Sequence, residues 1–336
     1  MNYKSFDDLS ADIKKTLFKV HSGDYDLVVG IPRSGMIPAY LIGLYLNVHV
    51  TDVDGFIENR RLRKGATRKA SNDLANAHDA ARVLLVDDSV RSGNSLADTV
   101  KRVPDELKQR ITTLVVYADR NTRADVDIIL DVVPFPRVFE WNVFHRNLLN
   151  RACVGIDGVI CISPADSESI DEKSYIDFLI NAKPYILPSC EIHSLVTSRL
   201  EKYRSQTETW LAKHGIKYKH LVMLDLPTER ENLNLRAHAT HKASYFSQIP
   251  DSLLFIESSS RQAKKIAQLT GKPVYCVSAN HMFSPGSQRA RSFVVRYLPD
   301  WVRSTIRPIY RRLAGNGMAN GQPSSRGVSS GREQKR

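Results

Sequence analysis

Two neighbouring carboxylates followed by a hydroxyl-rich turn are the residues of this chain whose types and spacing best fit chemistry. Asp87 and Asp88 come directly after the aliphatic run 83–86. The polar and glycine positions of the turn that follows are Ser89, Ser92, Gly93 and Ser95. Backbone N–H groups and hydroxyls in such a turn, ahead of a helix, suit a phosphate, whereas carboxylates suit sugar hydroxyls or Mg²⁺. The pattern therefore predicts a site for a phosphorylated sugar.

A second turn, Gly30 to Gly35, reads Gly-Ile-Pro-Arg-Ser-Gly and also follows an apolar run. Its flanking glycines allow the backbone to approach a ligand closely, and Arg33 supplies a planar set of donors that matches phosphate oxygens. A Gly/Pro turn with one arginine is common, so on its own this turn is weak evidence for a phosphate site. The acidic turn further along the chain strengthens that interpretation. Together the two predict a pair of phosphate-binding loops.

The elements that must position these turns are strands of a parallel sheet. The apolar runs before the turns are continuous rather than alternating, which is typical of strands buried on both faces. Two later runs, Thr112 to Tyr117 and Val126 to Val133, predict further strands of the same domain, which ends near Arg146. Ligands of such sheets lie beyond the carboxyl ends of the strands, and the acidic pair falls there.

Both turns resemble motifs of the type I phosphoribosyltransferases. The acidic turn resembles their PRPP-binding loop, in which an aliphatic strand leads into two acids and a Thr/Ser-Gly-x-Thr/Ser turn. The Gly30–Gly35 turn resembles their pyrophosphate-binding loop, with Arg33 and Ser34 at the contact positions. The resemblance implies that PRPP is bound by Arg33, Ser34, Gly35, Asp87, Asp88, Ser89, Val90, Arg91, Ser92, Gly93, Asn94 and Ser95.

The reaction that this resemblance implies is displacement of pyrophosphate from C1 of ribose. Its transition state places positive charge on the ring and negative charge on the leaving group, as in glycoside hydrolysis. We expect Asp87, Asp88 and Arg33 to be the catalytic residues, with the acids on the ribose hydroxyls and Arg33 on the pyrophosphate. Mg²⁺ is the expected cofactor, with Asp87 and Asp88 as its ligands from the protein. The sequence does not identify a base that activates the acceptor.

The stretch between the two turns, residues 55–80, is polar and carries several basic residues. A connection of that length is usually functional or disordered. In the family that the chain resembles, a flexible hood that closes over PRPP occupies this place. A solvated surface loop is the other interpretation.

A second domain is predicted from residue 151 onward, where Arg-Ala-Cys-Val-Gly-Ile-Asp-Gly resembles the first motif of the haloacid dehalogenase-like (HAD) phosphatases. Later segments continue the resemblance in the family's order, which implies a site formed by Asp157, Thr197, Lys242 and Glu257. The nucleophilic aspartate of that family stands two residues before the acid/base aspartate, and Gly155 occupies that position here. Glycine cannot attack phosphorus, so we expect a degenerate phosphatase domain; a misaligned motif with real activity is the alternative.

Composition agrees with two α/β domains and a basic tail. A chain of 336 residues exceeds the size of most single cores, and its formal net charge is +12. The four cysteines show no Cys-x-x-Cys pairing, and the sequence shows neither a signal peptide nor a long apolar run, so we expect a cytoplasmic protein. The expected fold is two Rossmann-like domains with parallel sheets. The expected divisions are a phosphoribosyltransferase domain at 1–148, a HAD-like domain at 149–288, basic amphipathic helices at 289–314 and a disordered tail at 315–336.

The tail, residues 289–336, carries eleven Lys and Arg against Asp300 and Glu333. In its first half the apolar residues fall on one helical arc and the arginines on the opposite arc, as in helices that lie on an anionic membrane. Pro299 and Pro308 predict short kinked helices. A helix docked on the protein's own core is the other interpretation.

Three functions follow from these patterns. The fused pair resembles two-domain proteins of bacterial polysaccharide pathways, which implies transfer of 5-phosphoribose to a lipid-linked glycan acceptor on the inner face of the cytoplasmic membrane. The second is a nucleobase or orotate phosphoribosyltransferase of nucleotide synthesis or salvage. The third is a PRPP-sensing regulator that binds nucleic acid, which we expect least because the tail's charges are segregated from an apolar face.

Overall fold

The structure is a computed structural model that describes residues 1–63, 65, 69–164, 171–225 and 235–284. The predicted amphipathic segment 289–314 and the tail 315–336 lie outside the described residues. The strands are β1 (Asn2–Lys4), β2 (Leu27–Gly30), β3 (His49–Asp52), β4 (Val83–Ser89), β5 (Ile111–Ala118), β6 (Ile128–Val132), β7 (Arg137–Phe139), β8 (Ala152–Val154), β9 (Ile192–Leu200), β10 (Tyr218–Leu224), β11 (Leu254–Glu257), β12 (Val274–Cys276) and β13 (His281–Phe283). The helices are α1 (Phe6–Thr16), α2 (Met36–Leu46), α3 (Val53–Ile57), α4 (Asn94–Arg102), α5 (Asp105–Lys108), α6 (Glu172–Asn181), α7 (Arg204–Lys213), α8 (Leu235–Gln248) and α9 (Ser260–Thr270).

The first half is built on a sheet with strand order β3-β2-β4-β5-β6, in which every neighbouring pair is parallel. Successive residues of β4 alternate between two separate cores. Val83 and Leu85 pack in one with α3, α4 and α5, and Leu84 and Val86 pack in the other with α1 and α2. Since helices cover both faces, no residue of this run meets water, which explains its continuous apolar sequence. The predicted parallel sheet is confirmed.

Helix boundaries follow local capping chemistry. Ser5 caps α1 in a reciprocal arrangement with Asp8, and Ser259 caps α9 by accepting a hydrogen bond from the backbone of Gln262. The ends of α2 and α9 are marked by Asn47 and Gly271, both in the left-handed conformation that stops a helix.

A short pair of strands joins the N-terminus to the end of the first half. β1 pairs in parallel with β7, and a 3₁₀ segment, Glu140–His145, follows β7 directly. This pairing carries residues 137–146 back to the carboxyl edge of the first sheet, where the acidic turn lies.

The second half contains a sheet with the order β10-β9-β8-β11-β12-β13. All neighbouring pairs are parallel except β12 with β13, which are antiparallel. The prediction of a parallel Rossmann-like second sheet is therefore met only in part, because β13 makes the sheet mixed. The chain runs outward from β8 to β10 on one side and from β11 to β13 on the other. The strand order thus reverses between β8 and β11, and clefts form at such positions.

One apolar core spans both halves. Val138, Val143 and Phe144, which follow the first sheet, pack in the same cluster as Ile156 and Leu195 of the second half. All described residues accordingly belong to one compact unit. The boundary predicted between residues 148 and 149 stays a prediction.

Within the residues described, no helix is both long and apolar enough to cross a membrane.

Candidate active site

The acidic pair lies at the carboxyl end of β4, which continues through Ser89, so both acids are strand residues rather than the start of the loop. Both side chains are almost fully buried, and neither has an ion-pair partner among the described residues. Asp87 Oδ1 accepts a hydrogen bond of 2.8 Å from the backbone N–H of Asp88. Burial, reinforced by the nearby charge of Asp88, raises the pKa of Asp87 to about 8. The pair is therefore an acidic site without a direct ion-pair partner among the described residues.

Asp88 is oriented by donors from two different segments. The hydroxyl of Ser34, in the Gly30–Gly35 turn, donates to Oδ1 at 2.8 Å. The indole Nε1–H of Trp141, in the 3₁₀ segment, donates to Oδ2 at 2.6 Å. The Trp141 ring is itself fixed by stacking on Phe139, with ring centroids 4.9 Å apart. Both oxygens of Asp88 are thus held in place.

The turn after the acids has the geometry of an anion cradle. It ends at Gly93, whose φ of +88° places it in the left-handed region, and α4 begins at Asn94 without a side-chain cap. The N–H of Asn94 donates to Ser92 Oγ at 3.4 Å, and the next amide groups of α4 remain available to a ligand. A Cβ atom at position 93 would stand 2.0 Å from a carboxylate oxygen of Asp125, so only glycine fits. Arg123 braces the turn by donating to the backbone carbonyl of Arg91 at 2.9 Å.

The Gly30–Gly35 turn packs against the acids. A Cβ atom at Gly35 would approach Asp87 Oδ1 to 2.9 Å and the carbonyl oxygen of Ile31 to 2.6 Å, so a side chain there would push the turn off the strand ends. The peptide bond between Pro32 and Arg33 is cis. Arg33 is exposed, and its contact with pyrophosphate stays a prediction.

These segments enclose a cavity of about 320 Å³. One wall is the Gly30–Gly35 turn, represented by Ile31, Pro32 and Ser34, and the second is the acidic turn from Asp87 onward. Of the residues predicted to bind PRPP, those that line the cavity are Ser34, Asp87, Asp88, Ser89, Val90, Arg91, Ser92, Gly93 and Ser95. Arg33, Gly35 and Asn94 belong to the same turns but do not line it.

The third wall of the cavity was missed by the sequence analysis. It consists of Arg137, Phe139, Asn142 and Arg146, which come from β7 and the segment after it. These residues follow no spacing rule, because the pairing of β1 with β7 brings them to the site. The concentration of aromatic and arginine residues between 135 and 146 was the one signal in the sequence.

The acidic pair fits a magnesium ion that is shared with a substrate. Among the described residues, no cluster of three or more His, Cys, Asp or Glu side chains is arranged to hold a metal. Two buried carboxylates without a counter-charge provide part of a hard-cation site, and phosphate and hydroxyl oxygens of a substrate would complete it. The raised pKa of Asp87 agrees, since a cation would relieve the cost of its charge.

The four residues predicted for the second half also meet at one sheet edge. Asp157 follows β8, Thr197 lies in β9, Glu257 ends β11, and Lys242 reaches the edge from α8. Lys242 Nζ lies 2.7 Å from Glu257 Oε2, and both side chains are buried. A residue missed from the sequence, Arg199, is completely buried and lies 2.6 Å from Asp157 Oδ1. The backbone N–H of Arg199 donates to Thr197 Oγ1, which links Thr197 to the Arg199–Asp157 pair.

Gly155 stands beside this cluster. A Cβ atom there would lie 3.3 Å from Val159, 3.4 Å from the carbonyl oxygen of Ile256 and 3.8 Å from Glu257 Oε2. A Cβ atom therefore fits at this position with small adjustments of its neighbours, close to Glu257. Steric crowding by neighbouring atoms therefore does not require a glycine at position 155.

The parallel sheet, the acidic strand end and the amide-lined turn define an α/β domain whose carboxyl strand edge is suited to a phosphorylated ligand. The sequence model of the phosphoribosyl transferase domain matches residues 2–148. A xanthine-guanine phosphoribosyltransferase of Chromohalobacter salexigens is 31% identical over 129 residues, which cover 38% of this chain and 75% of that protein. The chain belongs to the phosphoribosyltransferase family through this N-terminal part.

The similarity of this chain to solved phosphoribosyltransferase structures is distant. The purine phosphoribosyltransferase of Pyrococcus horikoshii is 21% identical with a TM-score of 0.30, over 42% of this chain and 92% of that one. The xanthine-guanine-hypoxanthine phosphoribosyltransferase of Helicobacter pylori is 19% identical with a TM-score of 0.31, over 42% and 93%. The predicted resemblance to phosphoribosyltransferases is confirmed for the first 150 residues or so. The likeness of the second half to HAD phosphatases stays a prediction.

Proposed function

We propose that this protein transfers 5-phosphoribose from PRPP to a nitrogen atom of a nucleobase and releases pyrophosphate. The observation that carries the proposal is the buried acidic pair at the end of β4, joined to an amide-lined turn and oriented by Ser34 and Trp141. Similarity to a xanthine-guanine phosphoribosyltransferase supports a nucleobase as acceptor. It favours that acceptor over the lipid-linked glycan that the sequence analysis put first.

The proposed roles follow the three walls of the cavity. The backbone of residues 89–95 and the start of α4 would hold the 5-phosphate, and Asp87 and Asp88 would hold the ribose hydroxyls. The Gly30–Gly35 turn, with Arg33 and Ser34, would receive the pyrophosphate. Mg²⁺ bound by the acidic pair and by PRPP oxygens would supply charge neutralisation for the leaving group.

Electrostatics would provide most of the rate enhancement. The ribose ring becomes cationic as the bond to pyrophosphate lengthens, and the carboxylates of Asp87 and Asp88 would stabilise that charge. Because Asp88 is already held by two donors, no reorganisation of this carboxylate is needed as the reaction proceeds.

The test is product analysis by mass spectrometry after incubation with PRPP and Mg²⁺. Acceptors are offered in two sets, free nucleobases and lipid-linked sugars, and the Asp88→Asn variant serves as the inactive control. A nucleoside monophosphate product from the wild type alone supports the proposal. A phosphoribosylated sugar would instead establish the glycan acceptor, and PRPP binding without any transfer would favour a PRPP sensor.

Association with an anionic membrane through residues 289–314 stays a prediction. Co-sedimentation with vesicles of anionic lipid, compared between the full chain and one ending at residue 288, would test it. Equal sedimentation of the two proteins would remove the membrane from the function.

For the second half we propose a phosphatase-like scaffold without hydrolytic activity. Gly155 leaves the cluster without an attacking carboxylate, and its two cations already face carboxylates, Arg199 on Asp157 and Lys242 on Glu257. The wild type should show negligible release of phosphate from ribose 5-phosphate. Gly155→Asp, which the surrounding space admits, is the variant in which hydrolysis would first become detectable. Rapid hydrolysis by the wild type would contradict this proposal.

A further inference from the structure

The third wall of the cavity faces a part of the substrate that the proposed function leaves unassigned. The other two walls are taken by the pyrophosphate and by the 5-phosphate with the ribose hydroxyls. The acceptor must attack C1 from the side away from the leaving group, and the third wall is the one that remains. This inference rests on the proposed function, and it names the chemical class of the acceptor.

Two polar groups on this wall have no partner in the part of the chain that the structure describes. The guanidinium of Arg146 is half-buried and makes neither a hydrogen bond nor an ion pair. The Oδ1 atom of Asn142 is buried and accepts no hydrogen bond. A half-buried cation without a partner and a buried acceptor without a donor are both unfavourable, and each would be satisfied by a ligand with matching groups.

The other polar residues of the same region are already committed. Arg137 donates to the carbonyl oxygens of Val133 and Val90, and its guanidinium lies 4.6 Å from the ring centroid of Phe135. Glu140 accepts a hydrogen bond of 2.7 Å from the backbone N–H of Phe6. The lack of a partner is therefore specific to Asn142 Oδ1 and the Arg146 guanidinium and is not a general feature of this wall.

The electrostatic surroundings of Arg146 favour binding of an anion. Burial and the positive charge of Arg91 lower the pKa of Arg146, while the carboxylate of Asp88 opposes that shift. Arg91 itself belongs to the acidic turn and also has no ion-pair partner among the described residues. A negative group bound at Arg146 would stabilise both arginines.

We propose that Asn142 and Arg146 form the acceptor subsite and select an acidic heterocycle. The acceptor is a ring that carries negative charge near neutral pH, as a carboxylate or through loss of a ring proton. Its charge pairs with Arg146, and a ring N–H donates to Asn142 Oδ1.

The experiment compares two matched pairs of acceptors, orotate against uracil and xanthine against hypoxanthine, by kcat/KM at saturating PRPP and Mg²⁺. In each pair the first base is the more acidic. A hydrogen-bonded charge pair of this kind corresponds to a preference of roughly 10- to 100-fold for the acidic base in at least one pair. Arg146→Gln should reduce that preference to about unity, and the KM for PRPP should not change. Arg146→Lys should keep part of it.

A second variant and a control separate this role from loss of fold. Asn142→Asp places a carboxylate on the cavity wall that Arg146 also lines, and it should reduce the preference by repelling an anionic base. Arg102→Gln removes the same charge from an exposed surface arginine paired with Asp54 and should leave the preference intact.

Three results would overturn the inference. Turnover of neutral bases alone in the wild type would show that the wall does not select charge. A raised KM for PRPP in Arg146→Gln, with the preference retained, would assign the arginine to the 5-phosphate instead. An equal loss for acidic and neutral bases would make its role structural. Absence of pyrophosphate release with every base would count against the proposed function itself, and this inference would fall with it.

Discussion

The two halves of this molecule both gather carboxylates at the carboxyl edge of a sheet, but they treat the charge in opposite ways. In the first half, Asp87 and Asp88 are buried without a cation and adjoin an open cavity. In the second half, Asp157 and Glu257 are each neutralised by a buried cation of the same chain. Uncompensated charge beside a cavity indicates a site prepared for a ligand, whereas compensated charge indicates a closed structural cluster.

The largest effect should come from removing one uncompensated carboxylate. Asp88→Asn keeps the shape of the side chain but loses the charge that stabilises the cationic ribose, so kcat should fall by about 100- to 1,000-fold. Measured pyrophosphate release gives the rate, and circular dichroism checks the fold. Asp98→Asn, at an exposed position on α4, is the control and should be nearly as active as the wild type. Near-native turnover of Asp88→Asn would contradict a catalytic role for this unpaired carboxylate.

The second half should respond in stability rather than in activity. Lys242→Met leaves Glu257 buried without its cation, which should cost about 3–5 kcal/mol of unfolding free energy. Urea unfolding measures the change, and Lys202→Met, in an exposed pair with Glu172, should change little. An unchanged midpoint for Lys242→Met would show that the buried pair contributes nothing, and the contrast between the halves would need another explanation.

A smaller loss is expected from the donor that orients Asp88. Trp141→Phe keeps an aromatic ring to stack on Phe139 but removes the indole N–H, so kcat/KM for PRPP should fall about tenfold, the value of one hydrogen bond to a charged group. The Ser34 donor remains, which limits the effect. A loss as large as that of Asp88→Asn would mean that Trp141 does more than orient the acid.

The most diagnostic effect concerns the pH dependence of stability. The pKa of Asp87 rises from 3.8 to about 8 on folding, so its protonated form favours the folded state. The contribution is fully present below pH 4 and is lost as pH rises through about 8. The unfolding free energy of the ligand-free wild type, measured relative to Asp87→Asn at each pH, should therefore fall across this range. A difference that stays constant or rises with pH would contradict the raised pKa of Asp87, and Mg²⁺ with PRPP should reduce the fall.

The sequence could predict the features that are formed by residues close to one another in the chain. The acidic pair and its turn are nine consecutive residues, and strand, acids and amide cradle can be read from their order alone. Gly155 was also found by counting back from Asp157. Trp141 and Arg146 could not be found in this way, because the pairing of β1 with β7 and a core shared with the second half bring them to the cavity. Arg199 was missed for a similar reason, since its partner Asp157 lies 42 residues away.

The core shared by the two halves has a consequence for any attempt to separate them. Val138, Val143 and Phe144 flank the residues of the third wall, and they are buried against side chains of the second half. A fragment ending at residue 148 would retain both phosphate-binding turns and would expose these three apolar side chains to solvent. On the proposed function, such a fragment should keep its affinity for PRPP and lose its selectivity among acceptors. The second half would then influence the choice of acceptor by packing against the residues that flank the third wall.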